Sequence, residues 1–146
     1  MDKTLDYDTL WSYMITNLGK NVANIPNDEK EMKMIINNAV DSYNIESNDT
    51  ENNLVCDDNA EIIELQTDDN KCFNIKKKIL ALFIKLNILQ NDLEYFQEVY
   101  QYDLKEVKSK FYKNQVEARE TTLAKVNSQI EQLFAYLNDG VLNEWL

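Results

Sequence analysis

Apolar residues recur at spacings of three and four over most of this chain, the period of amphipathic helices. Leu10, Trp11, Met14, Ile15 and Leu18 share one face of a first helix. Asp6 or Asp8 can cap its start, and Gly19 can close it in the left-handed conformation. After a link containing Val22, Ile25 and Pro26, a second helix is predicted from Asn27 or Asp28, burying Met32, Ile35, Ile36, Ala39, Val40 and Tyr43. Both helices are too short to stand alone and must pack against something. From Asn74 a broad stripe of Ile75, Ile79, Leu82, Phe83, Leu86 and Leu89, widened by Leu80, Ile84 and Ile88, predicts the central, most buried helix. Asn91 followed by Glu94 resembles a capping box and predicts a break. A further helix then carries Leu93, Phe96, Val99 or Tyr100, Leu104, Val107 and Phe111. The last, from about Gln115, has Val116, Leu123, Ile130 and Leu137 seven apart with Val126 and Leu133 between, a repeat suited to lengthwise packing. No Gly or Pro marks residues 111–115, so a bend and a continuous helix both fit there. Asn138, Asp139 and Gly140 close the helix, and an apolar tail at 141–146 follows.

Residues 45–70 break this pattern. They hold nine of the 26 acids and no Lys or Arg, leaving 17 acids against 15 bases elsewhere. Asn44, Asn48, Asn52, Asn53, Asn59 and Asn70 add turn-forming groups. The expectation is an extended acidic loop over 45–73, between helices two and three, with room for a short β-hairpin around 57–59. Its strands would be 53–56 and 61–65. A loop this long is usually functional or disordered, so trimming residues 48–59 is expected to leave thermal stability nearly unchanged. The fold class that results is all-α: one helical domain over 1–146, a bundle of about five helices carrying this insertion.

Charge and composition narrow the function. A formal charge of −11 works against binding the phosphate backbone, where affinity comes from basic groups releasing counterions. The chain has no His, which removes His-based general bases, triads and His-containing zinc sites together. Two Gly and one Pro leave little for a phosphate-cradling loop. Ser, Thr and Cys nucleophiles lack a His partner. Asp57, Asp58, Glu61 and Glu64 do not follow the calcium-loop pattern and read as a solvated acidic loop. The chain is therefore expected to be no enzyme and to need no cofactor or metal.

No secretory signal is expected, because residues 1–20 open with Asp2, Asp6 and Asp8 and lack a basic and then apolar region. The longest apolar run, 79–84, is far short of a membrane span. Cys56 and Cys72 read as free thiols in a reducing cytosol, with a disulfide closing the loop between them as the alternative. Lys76, Lys77 and Lys78 read as the polar shoulder of the apolar helix, their stems lying along the core.

Candidate interface residues fall in three places. Tyr95, Tyr100 and Tyr102, with Tyr112, crowd one region, as an interface patch or as half-buried packing. Asp57 and Asp58 sit in the acidic loop. Val141, Leu142, Trp145 and Leu146 form an apolar tail that either folds back over its own core or inserts into a partner's groove, where a Trp makes a strong anchor.

Residues 31–43 read EMKMIINNAVDSY, a long acidic excursion follows, and residues 81–107 read ALFIKLNILQNDLEYFQEVYQYDLKEV. This order resembles the head–tail connector (adaptor, or neck ring) proteins of tailed bacteriophages. In these an apolar helix runs into a segment of the type matched here by Asp92, Tyr95, Phe96, Tyr100 and Leu104. The resemblance covers residues 8–43 and 74–137. It implies a ring, often of twelve copies, beneath the portal, with loops meeting the neighbouring subunit or the next tail or neck protein. It also implies a C-terminal segment that docks into the portal, which suits 141–146. DNA would pass through without specific binding, and the acids of 45–70 could line an unsticky lumen. The length and acidity of that insertion depart from the family and leave its placement open between lumen, rim and subunit clasp. The location implied is the virion neck, after synthesis in the host cytoplasm, with no membrane partner. Two other classes compete: a small acidic partner-binding helical protein, such as a secretion chaperone or regulatory module, and an acidic DNA mimic. The mimic is disfavoured because the charge sits in one Asn-rich segment.

Overall fold

The computed structural model describes residues 3–19, 22, 25–47, 53–66, 69–100 and 106–138. Among them the chain runs β1 (Thr4–Asp6), α1 (Tyr7–Tyr13) continued by a π-helical turn (Met14–Leu18), α2 (Glu29–Glu46), β2 (Val55–Asp57), β3 (Ile62–Glu64), α3 (Asn70–Tyr100) and α4 (Glu106–Asn138). It is predominantly helical, as expected, but with four helices rather than about five, and with a small sheet.

The difference in number arises at Asn91. Its side-chain amide donates one turn back to Asn87 Oδ1 at 3.2 Å instead of capping a new start. The apolar stripe continues through Leu86, Leu89, Leu93 and Phe96 at helical spacing, so α3 runs unbroken to Tyr100. The last helix begins at Glu106 rather than near Gln115 and is continuous through 111–115. Leu104 lies outside the described residues. Asp69 starts α3 ahead of the expected Asn74, its carboxylate accepting from the Lys71 amide at 3.0 Å. Asp28 does the same for α2, accepting from the Lys30 amide at 3.2 Å. Gly19 departs from expectation too. Its φ of −84° and ψ of −2° are right-handed. A Cβ there would lie 2.7 Å from the Ile15 carbonyl oxygen, so the position needs glycine for close approach, not for handedness. Ile15, expected on the buried face, is 43% exposed, because the wider π-helical turn rotates it off the side that carries Leu10 and Met14.

The sheet has the order β1-β3-β2, with both pairs antiparallel. Leu5 pairs with Ile63 and Thr4 with Glu64, while Val55 faces Glu64 from the other side. The hairpin was anticipated, but the N-terminal strand that joins it was not. Leu54, Ile63 and Leu65 belong to the same buried cluster as Leu10, Met14, Ile35, Ile36, Ile79, Ile84, Val126, Ile130 and Phe134. Leu54, Ile63 and Leu65 therefore anchor this segment to the core, which corrects the expectation of a dispensable loop.

The bundle packs around α3, whose residues 79–84 are all buried. Phe134 of α4 meets Tyr43 of α2 at 5.1 Å and Phe83 of α3 at 6.1 Å between ring centroids. Helices of 31 and 33 residues are about 46 and 50 Å long, too long for this core to cover. The core reaches Leu89 on α3 and Leu123 on α4. Beyond those points the two helices continue as an antiparallel arm. No described helix is long and apolar enough to cross a membrane.

Candidate interaction surfaces

A polar junction fastens the hairpin to α1 and α2. The Tyr7 hydroxyl donates to Asp58 Oδ1 at 2.6 Å, and the Asn37 amide donates to the same oxygen at 2.9 Å. Asn44 holds Leu54 from both sides, donating to its carbonyl at 3.0 Å and accepting from its amide at 2.9 Å. Lys33 bridges Glu61 at 3.2 Å and Glu29 at 3.5 Å. Asp57 accepts from the amides of Asn59 and Ala60 and so builds the turn itself. Asp57 and Asp58, both exposed, thus also have local structural partners.

Burial and the bond to Asp58 push the Tyr7 hydroxyl well above the usual tyrosine range. The Tyr7 hydroxyl, then Asn37, hold the Asp58 carboxyl below its ordinary value. A depressed folded-state pKa stabilises the fold above the unfolded value, and that contribution is lost as pH falls through the folded one. The melting temperature is therefore expected to fall on acidification below about pH 4. Asp58→Asn should flatten part of that fall, as read by circular-dichroism melts across the range. An identical pH profile for Asp58→Asn would remove Asp58 from this role. Cys56 and Cys72 are free thiols, and burial raises both above their usual range, so neither is activated.

The lysine triplet is more varied than a polar shoulder. Lys76 is buried and donates to the Leu65 carbonyl at 3.0 Å. Lys77 lies over the Tyr13 ring at 4.6 Å, and Lys78 is exposed. Among the described residues no group of three Cys, Asp or Glu side chains is placed to hold a metal.

The arm has its own internal order. Phe96 is buried but stands apart from the core cluster. It stacks on Tyr112 at 5.6 Å, meets Tyr100 at 4.6 Å, and carries the Arg119 guanidinium 4.1 Å above its ring. Arg119 Nε in turn bonds Asp92 Oδ2 at 3.1 Å. Around this stack the arm exposes Tyr95 (62%), Val99 (46%), Tyr100 (48%) and Phe111 (59%). Tyr95 also edges a groove with Pro26, Glu31 and Ile88. Sequence reasoning singled out Tyr95 and Tyr100 but placed Val99 and Phe111 on a packing stripe. The missed signal is register: Phe111 is out of step with the stripe of Tyr112, Val116, Leu123, Val126 and Ile130 that faces α3. Tyr102 and the tail residues Val141, Leu142, Trp145 and Leu146 lie outside the described residues.

The sequence model of the YomZ prophage protein family matches residues 4–138. The chain belongs to the YomZ prophage protein family. The match takes in every described strand and helix, so YomZ membership applies to the fold as a whole and marks the chain as phage-derived. No curated protein and no solved structure matches it.

Proposed function

We propose that this YomZ-family chain is a structural component of the phage particle, a head–tail adaptor that assembles as a ring beneath the portal. The observation that carries the reading is the two-helix arm, which extends past the core and turns Tyr95, Val99 and Phe111 to solvent. Exposed aromatic residues on a projecting helical element are what assembly interfaces are made of. Membership in a phage-derived family supports a role in the particle, and the helix order of 31–43 and 81–107 supports the neck. The partners are the portal, the next neck or tail protein and further copies of the chain. The tail at 141–146 supplies the portal anchor through Trp145, Val141, Leu142 and Leu146, and DNA passes without specific binding.

The test is co-sedimentation with purified portal rings, with electron microscopy of the product. The full chain is expected to add a ring of density, and a chain lacking 141–146 to lose it while keeping its helical circular-dichroism signal. Unchanged co-assembly without the tail would remove the anchor. Failure of the full chain to bind portal would favour the alternative of a small acidic partner-binding protein, a secretion chaperone or regulatory module.

A further inference from the structure

We infer that the segment 139–146 docks back into a lysine-edged groove between α1, α3 and α4 of its own chain, seating Trp145 there with Glu144 against Lys77 and Lys78. The inference concerns the chain before it meets a partner and does not rest on the adaptor reading.

The groove is about 400 Å³, with Tyr13, Ile75, Leu133 and Tyr136 as its walls and Lys77 and Lys78 at its edge. Three elements build it. Tyr13 ends α1, and antiparallel α4 brings its last two turns alongside the first turns of α3. Tyr13, Ile75 and Leu133 are half-buried, packed against the core cluster while still lining the groove, and Tyr136 is 40% exposed. The walls are therefore apolar surface that the described residues leave uncovered.

The edge is positive. Lys77 lies over the Tyr13 ring, Lys71 Nζ stands 5.4 Å from the centroid of the Tyr136 ring, and Lys78 is exposed. No described carboxylate pairs with any of these three lysines, and the described lining holds no acid. In a chain of net charge −11 this is a local field of opposite sign to the whole molecule.

The segment 139–146 complements both features. Val141, Leu142, Trp145 and Leu146 supply apolar side chains, and Asp139 and Glu144 are its only charged ones. It is also close. Leu133 lies five residues before the end of α4 at Asn138 (138 − 133), about 8 Å along the axis, and Tyr136 lies nearer still. Eight residues extend to about 26 Å, ample for a reversal at Gly140 and a return along the groove. A link this short gives the segment an effective concentration on the order of millimolar at its own groove, which a second copy or a separate partner has to match from solution.

The experiment is acrylamide quenching of tryptophan fluorescence in the full chain. Trp11 is 5% exposed, and subtracting the signal of Trp145→Phe isolates Trp145. Trp145 is expected to emit to the blue of free indole and to resist quenching equally from roughly 1 to 100 μM protein. Lys77→Glu with Lys78→Glu should raise its quenching constant about threefold or more, and adding Glu144→Lys to that pair should restore protection. Circular-dichroism melts confirm that the variants stay folded. A Trp145 open to acrylamide in the wild-type chain, lysine reversals without effect, or no recovery with Glu144→Lys would each overturn the docking. Protection that grows with protein concentration would overturn it in favour of a second copy's groove, and protection that appears only when portal is added would overturn it in favour of a partner. The measurement on the free chain uses no portal, so its failure leaves the adaptor reading standing, and failed co-sedimentation with portal leaves the docking standing.

Discussion

Deletion of residues 48–59 should lower the melting temperature by more than about 10 °C, if a cooperative transition survives at all. The deletion removes Leu54, which is 3% exposed, together with strand β2 and the Asp58 oxygen that receives Tyr7 and Asn37. It also leaves Asn44, held by Leu54 at both ends of its amide, with those bonds unmade. Point changes separate the contributions. Leu54→Ala and Ile63→Ala each leave a cavity under the sheet and should cost about 2–4 kcal/mol, while Val55→Ala on the outer face should cost less than about 1 kcal/mol. Urea unfolding followed by circular dichroism measures all three. Equal midpoints for Leu54→Ala and Val55→Ala would show that the sheet is uncoupled from the core.

That segment also shows what the sequence makes legible. Helical periodicity located α2 and the buried face of α3 down to single residues, because a stripe at spacings of three and four has one sensible packing. The short strands around 53–56 and 61–65 were visible as β-branched and apolar residues flanking a turn. Their membership in the core was not, because nine acids dominate the average over 45–70 while burial is decided by Leu54, Ile63 and Leu65 alone. The third strand was invisible for a different reason. Thr4, Leu5 and Asp6 have no strand pattern of their own and become a strand only because β3 offers an open edge. Asn91 failed as a helix stop because the same residue types serve as cap or as mid-helix polar surface, and only the partner chosen, Asn87, decides. At the arm, stripe counting could say that Tyr95, Phe96, Val99 and Tyr100 are apolar but not which of them face α4. That requires knowing where the core ends.

Because the core ends there, two phenylalanines of similar burial should respond differently to truncation. Phe134→Ala is expected to cost about 3–5 kcal/mol, since this ring joins α2, α3 and α4 through Tyr43 and Phe83 and its loss opens a cavity that three elements share. Phe96 is as well covered, at 8% against 7% exposed. Its partners, though, are Tyr100, Tyr112 and Arg119, all within the arm. Once the arm opens locally, nothing further is lost by the truncation, so the cost cannot exceed the arm's own stability over the opened state. Phe96→Ala should therefore shift the global urea midpoint by less than half as much as Phe134→Ala. It should also sharply raise amide hydrogen exchange in residues 92–100 and 110–119 while leaving residues 79–88 protected. Equal midpoint shifts, or exchange that rises uniformly along α3, would mean that the arm and the core unfold as one unit. An arm that opens on its own is also an arm that a partner can order, which links this measurement to the interface proposed for Tyr95, Val99 and Phe111.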